Sequence, residues 1–126
     1  ITIDYIKENI DKFSSVNWER LSLNPNITPE MINEHLDEDW NWEYLSFNPN
    51  ITIEFINDNP DKDWDWYGIS LHQNITMEMI KKYPHHNWDW EGISANPNIT
   101  MKYIRENIDD IHFWSLSGNT FGKVVK

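Results

Sequence analysis

The chain has 126 residues, a net charge of −11, 39% apolar residues with 14% aromatics and no cysteine; this suits one core-forming domain and argues against simple disorder. Without cysteine there are no disulfide scaffolds, thiolate metal sites or Cys nucleophiles, which fits a reducing compartment, and the negative balance without a basic stripe disfavours nucleic acid. No run approaches the roughly 18 apolar residues of a membrane span, and the opening "ITIDYIKENIDK" carries acids where a secretion signal has a positive flank and an apolar stretch.

Along the chain an internal repeat appears. Counting from the Ile of each "IT", copies begin at Ile1, Ile27, Ile51, Ile75 and Ile99, spaced by 26, 24, 24 and 24 residues. The expectation is a single repeat domain over 1–126, with repeats 1–26, 27–50, 51–74, 75–98 and 99–126. Repeat 1 carries two extra residues before Trp18, and repeat 5 follows the pattern to Trp114 with one deletion and then departs. Atypical ends suit capping repeats. The lack of an initiator Met and a start in repeat phase suggest a piece of a longer protein.

Each repeat predicts two short helices. Thr28, Thr52, Thr76 and Thr100 stand at N-cap positions of the first helix, with Pro29 at its first position in repeat 2 and Glu30, Glu54 and Glu78 in the first turn. The Ile before and the Ile four after each Thr recur in all five copies, from Ile1 and Ile6 to Ile99 and Ile104, the spacing of a hydrophobic staple. Pro60 and Pro84 close this helix, and Asp39, Asp63 or Asn87 is expected to cap a second one beginning at the Trp pair. Proline after Asn24, Asn48 and Asn96 ends that helix, and the next Asn turns the chain into the following cap. "NPNIT" is thus a corner, and its four N-glycosylation patterns, at Asn26, Asn50, Asn74 and Asn98, are expected to be unmodified.

Helices of roughly eight residues do not persist alone in water, so stacking must hold them. Apolar positions represented by Ile27, Met31, Ile32, Leu36, Trp42, Leu45 and Phe47 recur, which predicts an all-α chain, a right- or left-handed α/α solenoid of five two-helix repeats. Gly68 and Gly92, inside the second helix, mark close approach of a neighbouring helix or ring.

The combination of "DWDW", "LSxNPNIT" and a following "xExI" at a 24-residue period resembles the tandem repeats of large nucleocytoplasmic DNA viruses, the mimivirus-like giants. The resemblance covers nearly the whole chain. It implies a viral repeat protein, located in the cytoplasm of the infected cell or in the virion, and supplies no catalytic residues.

Eight Trp fall as pairs Trp40/Trp42, Trp64/Trp66 and Trp88/Trp90 plus Trp18 and Trp114. The second site, filled in every copy, reads as core. The first site, Trp40, Trp64 and Trp88, suits either a stacked ladder, the preferred reading, or an exposed strip for sugar, peptide or base contact. Charge concentrates in repeats 2 and 3, at −6 and −4. It reads as a solvated face, or as a groove in which Glu34, Asp37, Glu38, Asp58 and Asp61 flank a basic partner segment.

Asp61, Asp63 and Asp65 alternate like the start of a calcium loop, but Trp66 and His72 occupy the required Gly and Glu positions, and capping by Asp63 is the expected role. His72, His85 and His86 lack ligand spacing and read as surface or inter-repeat residues. Ser22, Ser46, Ser70, Ser94 and Ser117 are expected to bond back to helical carbonyls. No cofactor, metal or reactive centre is expected. The function expected is a non-enzymatic protein-interaction or scaffold module. The alternatives are a carbohydrate-binding or glycosylated virion-surface module, or a spacer in a longer chain.

Overall fold

The structure, a computed structural model, describes residues 2–117. Helices run in chain order as α1 (Ile3–Asn9), a 3-10 turn (Ile10–Lys12), α2 (Ser15–Leu21), α3 (Pro29–Glu34), α4 (Trp42–Leu45), α5 (Ile53–Asp58), α6 (Trp66–Leu71), α7 (Met77–Lys82), α8 (Trp90–Ala95), α9 (Met101–Glu106) and α10 (Phe113–Ser117). The fold is all-α, with no strand among the described residues. None of these helices is long and apolar enough to cross a membrane.

The first helix of each repeat starts as its sequence dictates. The hydroxyls of Thr2, Thr28, Thr52, Thr76 and Thr100 accept from the N–H groups of Tyr5, Met31, Phe55, Met79 and Tyr103 at 3.1–3.3 Å, satisfying a donor that the first turn leaves unpaired. The paired Ile residues on either side of each cap are buried from Ile27/Ile32 through Ile99/Ile104; Ile1 lies outside the described residues. Asn59 and Tyr83, the residues before Pro60 and Pro84, leave helical geometry (φ −131°, ψ 57° and φ −120°, ψ 64°), but His35 (φ −135°, ψ 41°) and Asn107 (φ −129°, ψ 32°), which precede Leu36 and Ile108, do the same, so the end of this helix does not depend on proline.

The second helices start later than expected. Their caps are Asn41, Asp65 and Asp89, whose side chains accept from Tyr44, Gly68 and Gly92 N–H at 2.8, 3.2 and 3.1 Å, not Asp39, Asp63 or Asn87. The first-site Trp therefore precedes the helix. The reason is the indole N–H, which reaches back five residues: Trp40 to His35 O, Trp64 to Asn59 O and Trp88 to Tyr83 O, at 2.8–2.9 Å. That bond also satisfies a carbonyl at the end of the first helix. Asp39 instead accepts from Ser15 Oγ at 2.7 Å.

The chain forms two compact units, Ile1–Trp64 and Asp65–Lys126, with the division inside repeat 3. In the first, the core gathers Ile6, Trp18, Ile27, Ile32, Trp40 and Leu45 with repeat 3's Ile51 and Ile56. In the second, α8 packs against α6 on one side and α10 on the other. Their close approach depends on Gly92, where an added Cβ would stand 2.7 Å from both Ser70 Cβ and Tyr67 O. Two expected core positions are instead on the surface: Leu36 is 36% and Phe47 46% exposed. Leu36 follows the end of α3 and Phe47 the end of α4, so neither is carried on a packed helical face.

Candidate functional site

The corners carry a dense set of hydrogen bonds among the described residues. In each, Ile N–H closes a turn onto the carbonyl three residues back (Asn24, Asn48, His72, Asn96; 2.9–3.1 Å). The same four side chains accept from the N–H two residues on, at 2.7–3.1 Å. That use of Oδ1 is an ordinary Asx turn. The amide nitrogen does something further. Buried Asn48 Nδ2 donates to Ser22 O and Asn24 O, both at 3.0 Å. Buried Asn96 Nδ2 lies 2.8 Å from Ser70 O, 3.1 Å from Ile75 O and 3.3 Å from His72 O. Ser22, Asn24, Ser70 and His72 belong to the preceding repeat, so these asparagines fasten one repeat to the next. An ionised Asp could not donate there.

The second Asn repeats the device. Asn50 Nδ2 donates to Pro25 O and Ile27 O at 2.7 and 2.6 Å, and Asn98 Nδ2 to Gln73 O and Ile75 O, both at 2.8 Å. The nitrogen to which a glycan would attach is thus engaged at both positions.

Serines form a parallel line of locks. Ser22, Ser46 and Ser94 donate back to Trp18, Trp42 and Trp90 carbonyls as expected; the side chain of Ser117 lies outside the described residues. The Ser22, Ser70 and Ser94 oxygens accept from the next repeat: Asn41 N–H on Ser22 Oγ at 2.9 Å, and Asp89 on Ser70 and His112 on Ser94, both at 2.8 Å. All four serines are fully buried, where an unsatisfied N–H would cost about 1–3 kcal/mol.

The tryptophans divide differently from expectation. Trp40 and Trp64, at 6% and 7% exposure, are core, and Trp88 is half-buried. At Trp40 and Trp64 the first site is therefore the ladder and not an exposed strip. Trp18 is buried, while Trp42, Trp66 and Trp90 at the second site are half-buried. Each second-site ring meets the next first-site ring edge-on: Trp18 with Trp40 at 4.8 Å, Trp42 with Trp64 at 5.1 Å, and Trp66 with Trp88 at 5.4 Å.

Trp114, read as a second-site core residue, is 91% exposed. Two hydrogen bonds explain the difference. His112 N–H on Ser94 Oγ matches Asp89 on Ser70, and Leu116 N–H on His112 O matches Ile93 on Asp89. His112 is therefore the equivalent of Asp89, buried Ile111 takes the first Trp site, Phe113 the second, and Trp114 the place of exposed Glu91.

Glu34, Asp37, Glu38, Asp58 and Asp61 are all exposed, and their carboxylates make no hydrogen bond or ion pair within the described residues. Glu34 and Asp58, like Asp37 and Asp61, stand 24 residues apart at equivalent positions. No cluster of three or more His, Asp or Glu suited to a metal ion occurs among the described residues; Asp65, of the aspartate run, caps α6. His72 is buried in its corner, His85 is exposed, and His86 lies half-buried against the Trp66 and Trp88 rings at 4.8 and 5.7 Å. Burial holds the His86 imidazole below its ordinary pKa of 6.5.

The second unit also contains a groove of about 510 Å³ lined by Trp88, Trp90, Tyr103, Glu106 and Asn107 among others, which sequence reasoning missed. Comparison with family models, with curated proteins and with solved structures finds no match to this chain.

Proposed function

We propose that the chain is a non-enzymatic protein-interaction module of a viral repeat protein, a five-repeat α/α solenoid whose acidic repeats 2 and 3 receive a Lys/Arg-rich segment of a partner protein. The observation that carries this reading is the set of exposed, uncompensated carboxylates at equivalent positions, Glu34 with Asp58 and Asp37 with Asp61. Like charges on one edge of adjacent repeats repel, and a basic segment laid along that edge relieves the repulsion while charge speeds its approach. The solenoid reading is supported by the locks spanning 24 to 26 residues within each unit, such as Asn48 to Asn24 and Asn96 to Ser70. The viral origin rests on the repeat motif. The carbohydrate-strip alternative loses its platform, because Trp40 and Trp64 are core residues.

Fluorescence anisotropy with a labelled Lys/Arg-rich peptide, at about 50 and about 300 mM salt, tests the proposal. Binding should weaken with salt and fall at least about tenfold in the E34Q/D37N/D58N/D61N variant. Absence of binding at low salt, or binding indifferent to the four neutralisations, would overturn it and favour the spacer reading.

A further inference from the structure

Exposed faces of the second-site tryptophans are covered from the next repeat. Over Trp42 lies the Lys62 ammonium, 5.0 Å from the ring centre; against Trp66 lies the His86 ring, at 4.8 Å. Lys62 and His86 are equivalent residues, 24 apart, and each donates its N–H to the carbonyl three residues back (Asn59 and Tyr83). In repeat 5 the residue making that bond is Asp110, to Asn107 O at 2.9 Å. A carboxylate thus stands where repeats 3 and 4 carry a base, as Glu38 does in repeat 2, where its N–H bonds His35 O and the Trp18 ring it follows is buried. A carboxylate cannot cover a ring face, which is the negative part of an aromatic quadrupole.

Trp90 accordingly has no cation over it among the described side chains. Its ring stacks on Tyr103 at 6.1 Å and lines the groove. Lys81, the nearby base, is already committed: it lies 5.7 Å from the Tyr103 ring centre and pairs with Glu106 at 3.3 Å. Asp110 is exposed and stands beside the groove, not in its lining, at the register position from which Lys62 and His86 reach the preceding Trp. The Tyr103 phenol is raised above its ordinary pKa by burial first and by Asp110 and Glu106 after it.

We propose that the Trp90 groove is a docking site for one basic side chain, Arg or Lys, of a partner protein, which lies on the indole face and pairs with Asp110. The occupant supplies in trans what Lys62 supplies to Trp42 in cis. A guanidinium fits especially well, since it stacks flat and offers a fork to a carboxylate. The site is independent of the acidic edge of repeats 2 and 3.

The test uses the whole chain and short peptides that place one Arg, one citrulline or one Trp between alanines, followed by the indole N–H resonances in ¹⁵N NMR. The Arg peptide should shift Trp90 and bind about tenfold more tightly than the citrulline peptide. Asp110→Lys, which provides the cation internally, should abolish that binding, and Asp110→Asn should weaken it several-fold while the fold is retained. E34Q/D37N/D58N/D61N should leave it unchanged. Equal binding of Arg and citrulline peptides, tighter binding of the Trp peptide, or binding indifferent to both Asp110 variants would overturn the proposal.

Discussion

Replacing Asn96 by Asp keeps shape and volume and retains the oxygen that accepts from Asn98 N–H at 2.7 Å. It removes the amide that donates toward Ser70, Ile75 and His72 carbonyls. Asn96 is 0% exposed, so no water replaces the lost donor. Two hydrogen bonds at about 1 kcal/mol each, with buried carbonyls left facing an acid at about 1–3 kcal/mol more, give about 3–5 kcal/mol. That is a large share of an ordinary domain's stability. The cost should depend on pH with a definite sign. The introduced carboxyl is ionised above its raised folded-state pKa, where the penalty is complete. As pH falls toward the unfolded value, about 3.9, the neutral acid forms and donates one bond, and the penalty shrinks. Urea unfolding followed by tryptophan fluorescence and by hydrogen exchange measures it, since repeat proteins open piecewise. Asn87→Asp, the same change at an exposed residue, is the control. If N96D and N87D lie within about 0.5 kcal/mol of each other, surface behaviour is indicated and the buried-lock account is refuted.

Gly92→Ala places a methyl 2.7 Å from Tyr67 O and Ser70 Cβ. Overpacking of about 1–3 kcal/mol should outweigh the roughly 1 kcal/mol gained in helix propensity, lowering the urea midpoint. His86 should titrate below 6.5 in an imidazole NMR titration, because burial disfavours its cation. Its contribution to stability is then complete above about pH 6.5 and is lost as pH falls through the depressed folded value, so His86→Phe should lose less stability than the parent between about pH 7.5 and 5.5. Intact-mass measurement on native protein should show no hexose-sized increments, since the Asn50 and Asn98 amides are held by carbonyls.

What could be read in advance was local. Thr76 caps α7 because its hydroxyl needs only the Met79 N–H three residues away. Close packing at Gly92 was also legible, because a glycine inside a short helix costs stability unless something approaches it. The inter-repeat role of asparagine was not. Its periodic return showed that a position mattered, but the acceptor of Asn48 Nδ2 is a carbonyl 24 or 26 residues back, and an Asx turn alone accounts equally well for the residue type. That Trp40 and Trp64 are core while their pair partners Trp42 and Trp66 are half-buried goes with an indole bond five residues back, which apolar periodicity does not encode. Trp114 misled for a related reason: aligning tryptophan to tryptophan hid a register that the Ser94–His112 backbone bond defines.

The central claim is that the corner asparagines are buried locks between repeats, and exchange of their side-chain amide protons tests it most directly. In ¹⁵N NMR, the Nδ2 protons of Asn48 and Asn96 should exchange with solvent far more slowly, by at least about a hundredfold, than those of exposed Asn87. Exchange at Asn48 and Asn96 as fast as at Asn87 would contradict the account.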